Sequence, residues 1–145
     1  KQYRRRNAVR HKSVGIAAGF LRLCRAFRKE RYILEDCLFC KIAAGEIPSS
    51  KVYEDDVCYA FNDIDPQAPT HFLVIPKQHI KSVAAVDESN SAIVAHCFEV
   101  IAKVAKEKGM DSFRVVSNIG EQAGQSVFHL HFHVLSGRDM TWPPG

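Results

Sequence analysis

No stretch of this chain is both long and apolar. The longest run without Lys, Arg, Asp or Glu is Gln122–Gly137, 16 residues that include three histidines, and a membrane-spanning helix needs ~18 apolar residues or more. The sequence therefore predicts no transmembrane helix. Glycine and proline are few, 8 and 6 of 145 residues, which excludes collagen-like and low-complexity classes. Cysteine is scarce and odd in number, at five. With no segment that reads as a secretory leader, a disulfide framework is not expected and a reducing, cytoplasmic setting is. What remains is an ordinary globular composition, 46% hydrophobic and 25% charged, of a length that suits one domain.

The net charge of +4 conceals two opposed halves. Residues 1–34 hold eleven Lys/Arg against the single acid Glu30, whereas residues 35–145 hold nine against fifteen acids. An acidic globular part argues against stable nucleic-acid binding across its surface, although a small phosphate site needs only local donors. Residues 1–35 read as a basic extension. Arg4, Arg5, Arg6 and Arg10 precede Phe20, Leu23, Cys24 and Phe27 at helical spacing, with Arg22, Arg25 and Arg28 between them. Such a segment suits a mitochondrial transit sequence, an anionic membrane surface or an unstructured arm.

From residue 36 onward the pattern is that of a folded domain. Cys37–Ile42 reads as a short helix stopped by Gly45. Val52–Tyr53 and Val57–Phe61 flank Asp55-Asp56 as a hairpin, and His71–Ile75 is a third strand ended by Pro76. Ser91–Lys108 carries Ile93, Val94, Cys97, Val100, Ile101, Val104 and Ala105 at three- and four-residue spacing, which predicts one long amphipathic helix closed by Gly109. Phe113–Asn118 is a fourth strand, Gly120–Gln125 a loop, and Phe128–Leu135 a fifth strand. One long helix among strands joined by short turns predicts an α+β fold with a mainly antiparallel five-stranded sheet.

The chemistry concentrates in the fifth strand. Phe128-His129-Leu130-His131-Phe132-His133-Val134-Leu135 alternates strictly, so a strand sets three imidazoles on one face and Phe128, Leu130, Phe132 and Val134 on the other. Buried imidazoles need partners for both nitrogens, and three in a row point to function. Two functions compete: a metal site, and nucleophilic catalysis by a neutral central imidazole. Gly124-Gln125-Ser126 just before the strand and Asn118 beside it offer the backbone N–H, hydroxyl and amide donors that cradle a phosphate, which favours the second.

These residues resemble the histidine triad superfamily. His129-Leu130-His131-Phe132-His133-Val134 is similar to its His-φ-His-φ-His-φ signature, φ being apolar. Gln67–Lys77, Gly124–Val127 and Gly137-Arg138 with Trp142-Pro143-Pro144-Gly145 look like its Hint branch. The resemblance covers residues 36–145 and implies a homodimer that hydrolyses AMP- or GMP-type phosphoramidates to the nucleotide and an amine. It casts His131 as the nucleophile that becomes a nucleotidyl-histidine, with His133 and Ser126 on the phosphate and His71 touching the triad. Asp63 would accept from ribose hydroxyls with Ile64 against the base. Asn118, Gly124, Gln125 and Phe132 would add nucleotide contacts, and Phe39, Ile42, Ile47 and Phe61 an apolar base pocket or plain core. Catalysis would need no cofactor. The resemblance also implies that Cys37 and Cys40 hold a structural zinc with His79 and His129, two buried thiols being the alternative. Two other functions stay open: a nucleotide-binding regulatory adaptor, and hydrolysis of dinucleoside polyphosphates. His96 and Cys97 read as core or dimer-contact residues of the long helix, and Cys58 as core.

Overall fold

The computed structural model describes residues 36–144. The basic extension, with Cys24 and His11, lies outside the described residues. The domain runs α1 (Leu38–Ala44), β1 (Lys51–Glu54), β2 (Cys58–Asn62), β3 (Thr70–Pro76), α2 (Ser91–Glu107), β4 (Phe113–Val116) and β5 (Phe132–Ser136). The five strands form one antiparallel sheet in the order β1-β2-β3-β5-β4, so the α+β expectation holds. Among the described residues no helix is long and apolar enough to cross a membrane.

Alternation along the strands divides the core. Cys58, Ala60, Phe72, Val74, Leu130, Phe132 and Val134 meet Cys97, Val100, Ile101 and Val104 of α2 on one side of the sheet. On the other side Tyr59, Phe61, Leu73 and Ile75 pack with Phe39 and Ile42 of α1. The central strand β3 is covered on both faces, and every residue of it after Thr70 is buried. Each fully buried aliphatic or aromatic side chain contributes about 1.5–3 kcal/mol, so these two layers supply most of the apolar stabilisation.

Helix α1 is short and held at both ends. The Cys37 sulfur accepts from the Cys40 N–H at its start, and Gly45 closes it at φ +79° with its N–H on the Ile42 and Lys41 carbonyls. That left-handed cap needs glycine.

The histidine segment departs from expectation at its beginning. The strand starts at Phe132 instead of Phe128. Antiparallel pairing with β3 reaches Val74 opposite Phe132, and two residues further the partner would be Pro76, which has no N–H to donate. The ladder ends there. The Leu130 N–H turns to the Ile80 carbonyl instead, at 2.6 Å. Phe128, expected in the core, is 40% exposed and lies under the Lys81 ammonium. Two lesser shifts accompany this one: β4 stops at Val116, and Glu121–Ala123 within the expected loop forms a 3-10 turn.

Candidate active site

The end of β2, the start of β5 and the loop from Asn118 to Val127 enclose a cavity of about 650 Å³ beside α1. Phe39, Ile42, Ile47 and Phe61 form its apolar wall, and Asp63, Ile64, Asn118, Gly124, Ser126, His131 and His133 also line it. The resemblance to the histidine triad superfamily implies a place at the site for each of these. Leu38, Pro48, Ser49, Ser50, Asn62, Leu73 and Val127 complete the lining; of these only Leu73 was readable, being two places from His71 on an alternating strand.

The imidazoles keep to one face although the strand is short, because Leu130, Phe132 and Val134 still occupy the opposite core. Phe39 of α1 stands edge-on to both His129 and His131, with ring centroids 6.0 and 5.3 Å apart. The expected contact from Phe132 is corrected accordingly: its side chain packs on Phe98 of α2, across the sheet from the cavity. Gln125 is also turned away. It is buried, accepts from the Gly120 N–H at 2.9 Å and donates to the Lys81 and Val127 carbonyls at 2.8 and 3.2 Å, which makes it the clasp of the glycine loop.

Hydrogen-bond partners settle the tautomers. The Nδ1 of His131 is 2.6 Å from the His129 carbonyl oxygen. A carbonyl only accepts, so Nδ1 carries a hydrogen, and in the neutral ring the lone pair is on Nε2. Ser117 fixes the same backbone by donating to the His131 carbonyl at 2.9 Å. In His71, Nδ1 accepts from the Gln67 N–H at 3.1 Å, so Nε2–H donates to His133 Nδ1 at 2.9 Å. That leaves the His133 hydrogen on Nε2. Asp63 Oδ2 lies 3.4 Å from His71 Nε2 and 3.6 Å from His133 Nδ1, while its Oδ1 accepts from the Asp65 N–H. Burial, then repulsion from His131 and His71, pushes His133 down to about 4 against a weaker pull from Asp63. It is therefore neutral near pH 7 in the empty site.

His129 stands apart from this group. It is fully buried, and its Nε2–H donates to the Pro76 carbonyl at 2.9 Å, which leaves the Nδ1 lone pair 3.4 Å from the Cys37 sulfur and 3.5 Å from the Cys40 sulfur. His79 Nδ1 is 3.4 Å from the Cys40 sulfur. Burial holds both imidazoles down, His129 to about 4. All four donor atoms lie within 4.8 Å of one another. Two ligands of a tetrahedral zinc, with Zn–S ~2.3 Å and Zn–N ~2.0–2.1 Å, stand roughly 3.5 Å apart, so these residues fit zinc.

His96 does not follow the core reading. It is half-buried and bridges Asp55 at 2.7 Å and Glu99 at 3.1 Å. Cys97 and Cys58 are core as expected.

Comparison with known proteins agrees with the geometry. Residues 36–142 match the family model described as scavenger mRNA decapping enzyme C-term binding. An uncharacterized HIT-like protein of Synechocystis is 47% identical over 112 residues, which are 77% of this chain and 98% of that one. A HIT family hydrolase of Legionella pneumophila superposes with a TM-score of 0.74 at 48% identity, over 76% of this chain and all of that one. A histidine triad protein of Clostridium difficile gives 0.72 at 53% identity, over 74% of this chain and 96% of that one.

Proposed function

Since the chain belongs to the histidine triad superfamily, we propose that it is a hydrolase of purine nucleoside 5′-phosphoramidates, with His131 as nucleophile. The observation that carries this reading is the His131 geometry: Nδ1–H is held on the His129 carbonyl, so that Nε2 is the nitrogen left to attack, on the wall of the cavity. In this reading the base lies between Phe39, Ile42, Ile47 and Phe61, Asp63 accepts from the ribose with Ile64 beside it, and Asn118, Gly124, Ser126 and His133 meet the phosphate.

The Nε2 lone pair of His131 attacks phosphorus and the P–N bond breaks, its electron pair leaving with the amine nitrogen. The new nucleotidyl-imidazolium bears a positive charge, which the Nδ1–H bond to the His129 carbonyl stabilises. The departing amine needs a proton. The anionic phosphoryl group against His133 favours its imidazolium and offsets the burial that keeps it neutral in the empty site, so His133 takes up a proton and delivers it. Water then attacks phosphorus and gives its proton to His133. The His131–P bond breaks, and AMP leaves.

Cys37, Cys40, His79 and His129 would hold a structural zinc in this reading, tying α1 to the sheet beside the base pocket, and no step of the reaction passes through it. A second copy of the chain completes the proposed assembly. The strand β4 is an edge of the sheet, and Phe98 and Phe113 are 48% and 40% exposed, an apolar surface that a homodimer would cover. The setting proposed is cytoplasmic, or mitochondrial if residues 1–34 direct import.

The test is turnover of adenosine 5′-phosphoramidate by the wild type beside His131→Ala, each with and without EDTA. Hydrolysis that vanishes in the variant and survives the chelator supports the reading. A folded, AMP-binding wild type that turns nothing over would sink it in favour of a nucleotide-binding adaptor, and preferential cleavage of dinucleoside polyphosphates would move the substrate class.

A further inference from the structure

A second cluster of metal-ligating side chains joins the β1–β2 turn to α2. Asp55 and Cys58 are three residues apart on the turn, and His96 and Cys97 are successive on the helix. The donor atoms of Asp55, Cys58 and His96 all lie within 4.8 Å of one another. The Cys97 sulfur is 3.3 Å from that of Cys58 but lies outside this group of three. Both thiols are fully buried, and the reaction above uses neither.

We propose that Asp55, Cys58 and His96 form a second metal site, of three protein ligands, for a divalent cation of zinc type. The donor set of one carboxylate, one imidazole and one thiol is what a borderline-soft ion takes, and hard calcium or magnesium ions do not.

The surroundings support the assignment. Asp55 Oδ1 accepts from the Val57 and Cys58 N–H groups at 2.8 and 2.7 Å, which orients the carboxylate, and Oδ2, which also accepts from the Tyr53 hydroxyl at 3.1 Å, is directed at His96. The other ring nitrogen of His96, Nδ1, is 3.1 Å from the Glu99 carboxylate. A carboxylate on the far nitrogen is the usual second partner of a ligating histidine, since it fixes the tautomer with the lone pair toward the ion. His96 Nε2 is at present 2.7 Å from Asp55 Oδ2, a hydrogen bond that an ion would replace by opening the pair slightly. Access exists on the Asp55 side, where a surface cavity of about 490 Å³ reaches Asp55 and Asp56. The lysines on that rim, Lys51 and Lys77, are paired with Glu54 at 3.2 and 2.7 Å. The ion would displace one proton from the Cys58 thiol and one from the His96 ring, whose two nitrogens both face carboxylates. Bound there, it would tie α2 to the β1–β2 hairpin.

Cobalt(II) titration of the reduced, metal-stripped full chain tests this without reference to turnover. His96→Ala and Cys58→Ala are each expected to lose one equivalent of bound cobalt and part of the thiolate-to-cobalt charge-transfer absorbance. Cys40→Ser, at the other site, should leave that equivalent in place. His96 is half-exposed, so its variant keeps the test open should Cys58→Ala fail to fold. Cobalt stoichiometry and spectrum in His96→Ala identical to those of the wild type would overturn the proposal.

Discussion

The Nδ1 of His131 and the carbonyl oxygen of His129 stand 2.6 Å apart, two residues along the same segment. One backbone atom thus selects the tautomer of the central imidazole, with no carboxylate needed for that purpose. The arrangement depends on the chain leaving the β3 ladder just before His131, since the carbonyl of a regular strand residue points to a neighbouring strand. Pro76 causes that departure, and its own carbonyl is then taken by the His129 ring. A single proline therefore helps fix two tautomers, of His129 directly and of His131 through the backbone.

Replacing His131 by Ala should lower kcat by at least about 10⁴-fold, the scale on which removal of an enzyme nucleophile acts. His131→Ala should keep the far-UV circular dichroism and AMP affinity of the wild type to within a few fold. A loss of only about ten-fold would show that another group attacks phosphorus.

His71→Ala removes the donor that holds His133 Nδ1, and should lower kcat on the order of 10²-fold with a smaller change in KM. His71→Gln, which still offers an N–H, should recover part of that loss. Equal activity of the two variants would show that His71 acts by packing alone.

The state of His133 is testable by its titration. Its folded value of about 4 lies below the ordinary 6.5, so between these limits the unfolded chain binds the extra proton and the folded chain does not. Stability contributed by the neutral form is present above pH 6.5 and is lost as pH falls toward 4, by on the order of 2–3 kcal/mol. Nitrogen-detected NMR should place the midpoint near 4 in the nucleotide-free protein, and urea midpoints of His133→Gln should fall less steeply over that range than those of the wild type. A midpoint near 6.5 would contradict the burial argument.

The sequence made the site legible where side-chain type alone decides position. Alternation fixed which faces His129, His131, His133 and Leu130 occupy, and three- and four-residue spacing located α2. It misplaced what depends on a partner strand. The start of β5 follows from Pro76, 56 residues before Phe132 in the chain, and the exposure of Phe128 follows from that start. Gln125 and Phe132 were adjacent in sequence to real lining residues, but adjacency does not tell which way a side chain turns. The signal that would have found Gln125 is its two-sided amide directly after Gly124. A buried carboxamide with donor and acceptor both used is more often a clasp than a ligand contact.

That distinction leads to a measurement on Gln125. Its carboxamide is buried and satisfies the Gly120 N–H and the Lys81 and Val127 carbonyls, so Gln125→Ala strands the Gly120 N–H and the Lys81 carbonyl, at a cost of about 1–3 kcal/mol for each that water fails to reach, while the Val127 carbonyl keeps the His129 N–H at 2.9 Å. Gln125→Glu should be no milder, because a carboxylate placed against the Lys81 and Val127 carbonyls has no hydrogen to donate to them. Both variants should therefore show a lowered thermal midpoint and a raised KM, since Gly124 and Ser126 depend on the loop that Gln125 holds, while kcat at saturation stays within a few fold of the wild type because His131 and His133 are untouched. Were Gln125 a nucleotide contact instead, affinity would fall with no change in the thermal midpoint of the free protein. Differential scanning fluorimetry beside steady-state kinetics on the two variants separates these outcomes.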